Sequence, residues 1–252
     1  MPEAQFGGCE IVRLRAPAVA LLLGVVFATQ TGAANQWGGS ASLSSDYFVR
    51  GISRTSDHVA LQLELHYANS AGLLAGVFAS NSQIDPRERE DAEFSAFIGY
   101  AWNVSEEWRG KFLASHYVYP WNEAGSHYDY DELDFDLSFE GWLHFIVGYS
   151  PNSWRLYRDR YRTELLGVSE KSAEVSFQRQ IVGKFSLTAG AGYSYLSGRE
   201  SGGYAYWSGG AAYDLAPVTL ALSYVDTTPS AKPLFYNAAA TGQWMGTVLW
   251  RF

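Results

Sequence analysis

Four carboxylates and a serine recur at every second position, Glu132, Asp134, Asp136, Ser138 and Glu140, and alternate with Leu133, Phe135, Leu137 and Phe139. A period of two places them on one face of an extended strand. Carboxylates so close together would repel one another in an apolar wall and take up protons. In a water-filled space the same stripe attracts cations and turns anions away. It can also pair with basic side chains from a neighbouring strand or an infolded segment, and these two readings are compatible.

Four arginines supply the opposite charge within nine residues, Trp154-Arg155-Leu156-Tyr157-Arg158-Asp159-Arg160-Tyr161-Arg162. The segment has no clean period. Three readings are open for Arg155, Arg158, Arg160 and Arg162. They lie on a solvated outer loop, or they contact lipopolysaccharide phosphates, which suit guanidinium forks. Alternatively the loop folds inward, opposite the acidic stripe, and sets up a transverse field at a constriction. A second charged pair, Asp46 and Arg50, reads as two residues on one strand face at the rim. There Arg50 either fixes local geometry or meets solute at the mouth.

Catalysis needs a nucleophile or activated water, a base and an orienting group within hydrogen-bond reach. His66, His116 and His144 lie on three different candidate strands, and neither a serine-nucleophile motif nor HExxH is present. His127 stands near Asp129 and Asp131 in a loop, a weak set of metal-ligand types. No catalytic residue, metal site or cofactor is assigned.

The elements that must carry these residues are strands. Val59, Leu61, Leu63, Leu65 and Tyr67 alternate with Gln62, Glu64 and His66, and Ala92 to Trp102 repeats the pattern. Further candidate strands are 42–49, 73–80, 111–119, 133–139, 142–149, 172–178, 185–195, 204–213, 218–225 and 243–252, which makes twelve in all. Short links (69–72, 103–107, 140–141, 180–183, 214–217) alternate with longer ones (51–58, 81–90, 120–128, 151–171, 197–203, 226–242). That parity is expected of a transmembrane antiparallel up-and-down β-barrel with short turns at one end and loops at the other. Aromatic residues make up 16% of the chain, and many fall near strand ends, as interfacial girdles require. The last candidate strand puts Trp244, Gly246, Val248, Trp250 and Phe252 on one face, and Trp250 with Phe252 reads as an assembly signal for the barrel-assembly machinery.

Residues 1–34 read as a signal peptide. Arg13 and Arg15 precede the apolar run 18–28, and Thr31-Gly32-Ala33-Ala34 offers a cleavage site, so residues 35–252 form one barrel domain. The one cysteine, Cys9, falls inside that leader. A net charge of −8 gives no basic footprint for nucleic acid.

Ser44-Ser45-Asp46-Tyr47-Phe48-Val49-Arg50-Gly51-Ile52-Ser53 resembles the SDYxxRGxS opening of the TorF-type porin family of proteobacterial outer-membrane barrels. Gly76-Val77-Phe78-Ala79-Ser80-Asn81 and Tyr128-Asp129-Tyr130-Asp131-Glu132-Leu133 extend the likeness over the first half of the chain. The resemblance implies an outer-membrane barrel and brings no solute or functional residue with it. The resulting expectation is a non-enzymatic channel for passive diffusion of small hydrophilic solutes, neutral or cationic, in contact with outer-membrane lipid and lipopolysaccharide. The alternatives are a closed barrel with a structural, adhesive or lipopolysaccharide-binding role, and an outer-membrane lipid hydrolase.

Overall fold

A computed structural model describes residues 35–84, 91–121, 128–158, 163–198, 201–235 and 237–252. The signal peptide proposed for residues 1–34 and His127 lie outside the described residues. Twelve long antiparallel strands close into one barrel, each paired to its neighbours in sequence, and two very short strands form a separate hairpin. The barrel strands are β1 (Gln36–Ser44), β4 (Ala60–Ala68), β5 (Leu73–Ser82), β6 (Asp91–Asn103), β7 (Trp108–Val118) and β8 (Tyr130–Phe139). They continue with β9 (Leu143–Arg158), β10 (Thr163–Val182), β11 (Phe185–Ser197), β12 (Gly202–Leu215), β13 (Val218–Thr227) and β14 (Gln243–Arg251). The hairpin is β2 (Phe48–Val49) with β3 (Ile52–Ser53).

The two-residue period becomes an inside and an outside. Leu61, Leu63, Leu65, Val77, Ile98, Val147, Leu222 and Val248 face outward and are exposed, a belt that water would not tolerate but lipid would. Aromatic side chains, among them Tyr100, Tyr149, Tyr193, Tyr195, Trp244 and Trp250, stand on the same outer surface. Closure comes from β1 against β14, with Ser40 opposite Arg251 and Ser44 opposite Thr247. Phe252 completes the seam, since its amide donates to Gly39 O at 3.1 Å while Gly39 N donates to its carbonyl at 2.9 Å. Among the described residues the barrel sheet has no open edge, as a backbone surrounded by lipid requires.

Two segments differ from the sequence expectation. The first strand ends at Ser44 instead of running from Ser42 to Val49, because Asp46 turns the chain inward. Its Oδ1 accepts hydrogen bonds from Tyr47 N (2.6 Å), Ser53 Oγ (2.8 Å) and Thr55 Oγ1 (2.6 Å). Of the stretch 151–171, expected as a loop, residues 151–158 and 163–171 instead prolong β9 and β10, which reach 16 and 20 residues. A bulge explains the missing period. Glu170 pairs with Ser150 and Val168 with Ser153, so one strand carries an extra residue and its alternation changes phase.

Candidate functional site

The interior is occupied from the loop end by the segment that follows β1. Phe48, Val49, Arg50, Gly51, Ile52, Ser53, Arg54 and Thr55 are all buried. Arg50 and Gly51 form the tip of the β2–β3 hairpin, with φ of 50° and 77°. Positive φ at both central residues is what a tight two-residue hairpin turn demands. At Gly51 there is a second constraint, because a Cβ would lie 2.5 Å from Thr227 Cγ2 and 2.9 Å from Tyr206 Cβ. Ile52 packs with Val168, Leu196, Tyr204, Tyr206 and residues of the last outer connection, including Ala231 and Leu234. On its other side Phe48 meets Val225 and Met245.

The wedged hairpin delivers two guanidinium groups. Arg50 reaches Glu132 on β8 through Nη2 and Glu170 on β10 through Nη1, the latter at 3.0 Å. Glu170 is further held by Ser194 Oγ (2.7 Å) and Ser153 Oγ (3.1 Å). Burial alone would lower the pKa of Arg50, but the surrounding carboxylates, Glu170 and then Asp134, raise it above its ordinary value, so the group stays charged. For Asp46 burial is the larger effect, and it raises the carboxyl above its usual range against the hydrogen bonds from Thr55, Ser53 and Tyr47. Arg54 lies over the Trp154 ring, 4.8 Å from its centroid. Nearby, the hydroxyls of Tyr47 (3.0 Å) and Tyr119 both donate to the fully buried Glu93.

Deeper in the barrel, Asp136 accepts from Lys111 Nζ at 3.3 Å and pairs with His144 Nδ1 at 3.0 Å. Glu174 on β10 accepts from Tyr206 Oη at 3.0 Å through Oε2, while its buried Oε1 has no hydrogen-bond partner. Asp134 lies between the two levels. A Cβ on Gly148 would be 2.9 Å from Asp134 Oδ1 and 3.0 Å from Arg50 Nη2, so glycine there leaves the room both groups use. The wall of β8 and β10 therefore carries Glu132, Asp134, Asp136, Glu170 and Glu174, faced by Arg50, Lys111 and His144. Towards the short turns Leu74, Phe97 and Leu113, on β5, β6 and β7, pack together.

The structure brings Glu132, Asp134 and Asp136 together on this wall and leaves Glu140 out of it. Glu140 sits in the tight turn after β8 with φ of 46°, and its Oε2 accepts from Trp142 Nε1 at 2.9 Å. Asp46 and Arg50 do not share a strand face: Asp46 braces the base of the inward hairpin and Arg50 occupies its tip. Arg155 is buried, the side chain of Arg158 lies outside the described residues, and so do Arg160 and Arg162 altogether. Among the described residues, Arg50 is an arginine that faces the acidic stripe. Trp250 and Phe252 stand on the outer face, their ring centroids 4.9 Å apart. Glu93, Arg54, Glu170, Glu174 and Lys111 were not singled out from the sequence. The Arg-Gly pair between two short apolar runs was the one local cue to an inward tip, and it is weaker than Asn-Gly. Among the described residues no three His, Cys, Asp or Glu side chains converge as a metal site.

A closed, lipid-belted barrel with a charged interior defines the class of outer-membrane β-barrels. Within it, the chain belongs to the family described as "Bacterial protein of unknown function (Gcw_chp)", whose model matches residues 29–250. No curated protein matches the sequence. Among solved structures it is similar to the NanC porin, with a TM-score of 0.55, 11% identity, and coverage of 85% of this chain and 98% of that one. It is also similar to the KdgM porin, with a TM-score of 0.51, 8% identity, and coverage of 85% and 99%. At such identity the likeness is one of fold.

Proposed function

We propose that this protein is a porin-like channel of the bacterial outer membrane that passes small hydrophilic solutes, neutral or cationic, by passive diffusion and without a cofactor. The observation that carries the reading is the acidic wall inside a lipid-belted barrel: five carboxylates on β8 and β10, with Arg50, Lys111 and His144 as the basic groups paired to them. A lumen with that excess holds cations near its axis and repels anions. The porin folds of NanC and KdgM and the resemblance of the SDYxxRGxS segment to the TorF-type family point the same way. Contacts with outer-membrane lipid and lipopolysaccharide, and recognition of Trp250 and Phe252 by the barrel-assembly machinery, belong to the same proposal.

A second reading is favoured by one observation. The hairpin Phe48–Ser53 and the apolar cluster Leu74, Phe97 and Leu113 are packed inside the barrel, as they would be in a closed barrel with a structural, adhesive or lipopolysaccharide-binding role. Twelve strands lie between the packed eight-stranded barrels and the open sixteen-stranded porins, so the fold permits either. Single-channel recording of the refolded chain separates the two. A channel gives ohmic steps, and their absence supports the closed barrel.

A further inference from the structure

We propose that the acidic wall is a binding site for a small guanidinium-bearing cation, and that Arg50 is its built-in occupant, which the solute displaces. This deepens the channel reading and rests on it. The site already holds a guanidinium. Arg50 grips two carboxylates from different strands, Glu132 on β8 and Glu170 on β10, with its two terminal nitrogens. A planar fork spans two acceptors in this way, whereas an ammonium ion is a point charge. The acceptors are built in: Glu132 is 2% exposed and Glu170 7%, and Glu170 is aimed by Ser153 and Ser194.

The occupant does not satisfy the site. Glu174, 8% exposed, keeps Oε1 buried without a hydrogen-bond partner on the same strand as Glu170. Asp134 lies alongside, close to the Arg50 nitrogen over Gly148. The spare Glu174 oxygen marks where a second guanidinium can make its first hydrogen bond before the first lets go. The tether also favours exchange. Arg50 holds a left-handed backbone that residues with a Cβ adopt rarely, and it stands at the tip of a two-residue turn and not within the barrel wall. The Arg50 side chain can therefore let go by changing rotamer while the strands that carry the acceptors stay in place.

A tethered competitor weakens binding of the free cation in proportion to its effective concentration, which is in the millimolar range or above for short tethers. Removing it should expose the site. The probe is guanidinium chloride at low millimolar concentration, titrated calorimetrically into the refolded full chain in detergent at pH 8, with tetramethylammonium as a cation that cannot donate hydrogen bonds. Arg50→Gln should bind guanidinium at least about tenfold more tightly than the wild type, and Arg50→Lys, which keeps the charge that satisfies the buried carboxylates, should fall between them. Glu174→Gln, which leaves both Arg50 ion pairs intact, should weaken binding severalfold. Equal guanidinium affinity in the wild type and both Arg50 variants, or equal affinity for tetramethylammonium, would overturn the proposal. Because calorimetry reads binding and not conduction, a barrel that binds guanidinium yet shows no current would defeat the channel reading alone.

Discussion

At the residue scale, the centre of the protein is the pairing of Arg50 with Glu132 and Glu170. Removing one member of a buried ion pair leaves the others desolvated and uncompensated, at a cost of about 3–5 kcal/mol. Arg50→Ala is therefore expected to lower the temperature at which the barrel unfolds on heat-modifiability gels, and an unchanged transition would show that the pair contributes nothing. The two ends of the acidic stripe should also behave differently. Asp136→Asn, which removes a lumen charge beside Lys111 and His144, should reduce cation preference in bilayers, whereas Glu140→Gln, at the turn, should leave it as it is. The stripe itself could be read from sequence because period two is a local property. Its counter-charge could not. Glu132 and Glu170 lie 82 and 120 positions from Arg50, and only barrel closure and an inward turn bring them together.

At the element scale, the inward β2–β3 hairpin is the part that distinguishes this barrel from a plain tube. It is held by Asp46 at its base, by Ile52 and Phe48 at its flanks and by Arg50 at its tip. Replacing Phe48–Ser53 by a short glycine-serine link should widen the lumen and raise unit conductance severalfold, and single-channel recording would show whether it does. All twelve barrel strands have a counterpart among the segments expected from alternation, since lipid outside and polar groups inside force that pattern on each of them. The departures have physical causes. Ser42 to Val49 keeps the alternation through a turn that Asp46 imposes by side-chain hydrogen bonds, which a periodic reading does not register. The bulge between Ser150 and Ser153 shifts the phase of β9, so a real strand looks aperiodic where the arginines begin.

At the scale of the whole molecule, two opposed surfaces set the behaviour. Outside, an apolar belt closed by the Phe252 to Gly39 seam commits the chain to lipid. Inside, a sheet wall rich in carboxylates faces a plug that brings cations of its own, Arg50 and Arg54. The first surface was legible in the sequence as strand rhythm. The second was legible only in half, because a plug drawn from a connection between strands has no periodic signature. Together they support the narrow, cation-favouring conduit proposed above. The most direct test is the reversal potential of the refolded wild-type protein in a planar bilayer under a potassium chloride gradient. The account predicts small ohmic steps and a reversal potential of the sign set by potassium. A reversal potential of the sign set by chloride, or a bilayer that never conducts, would contradict it.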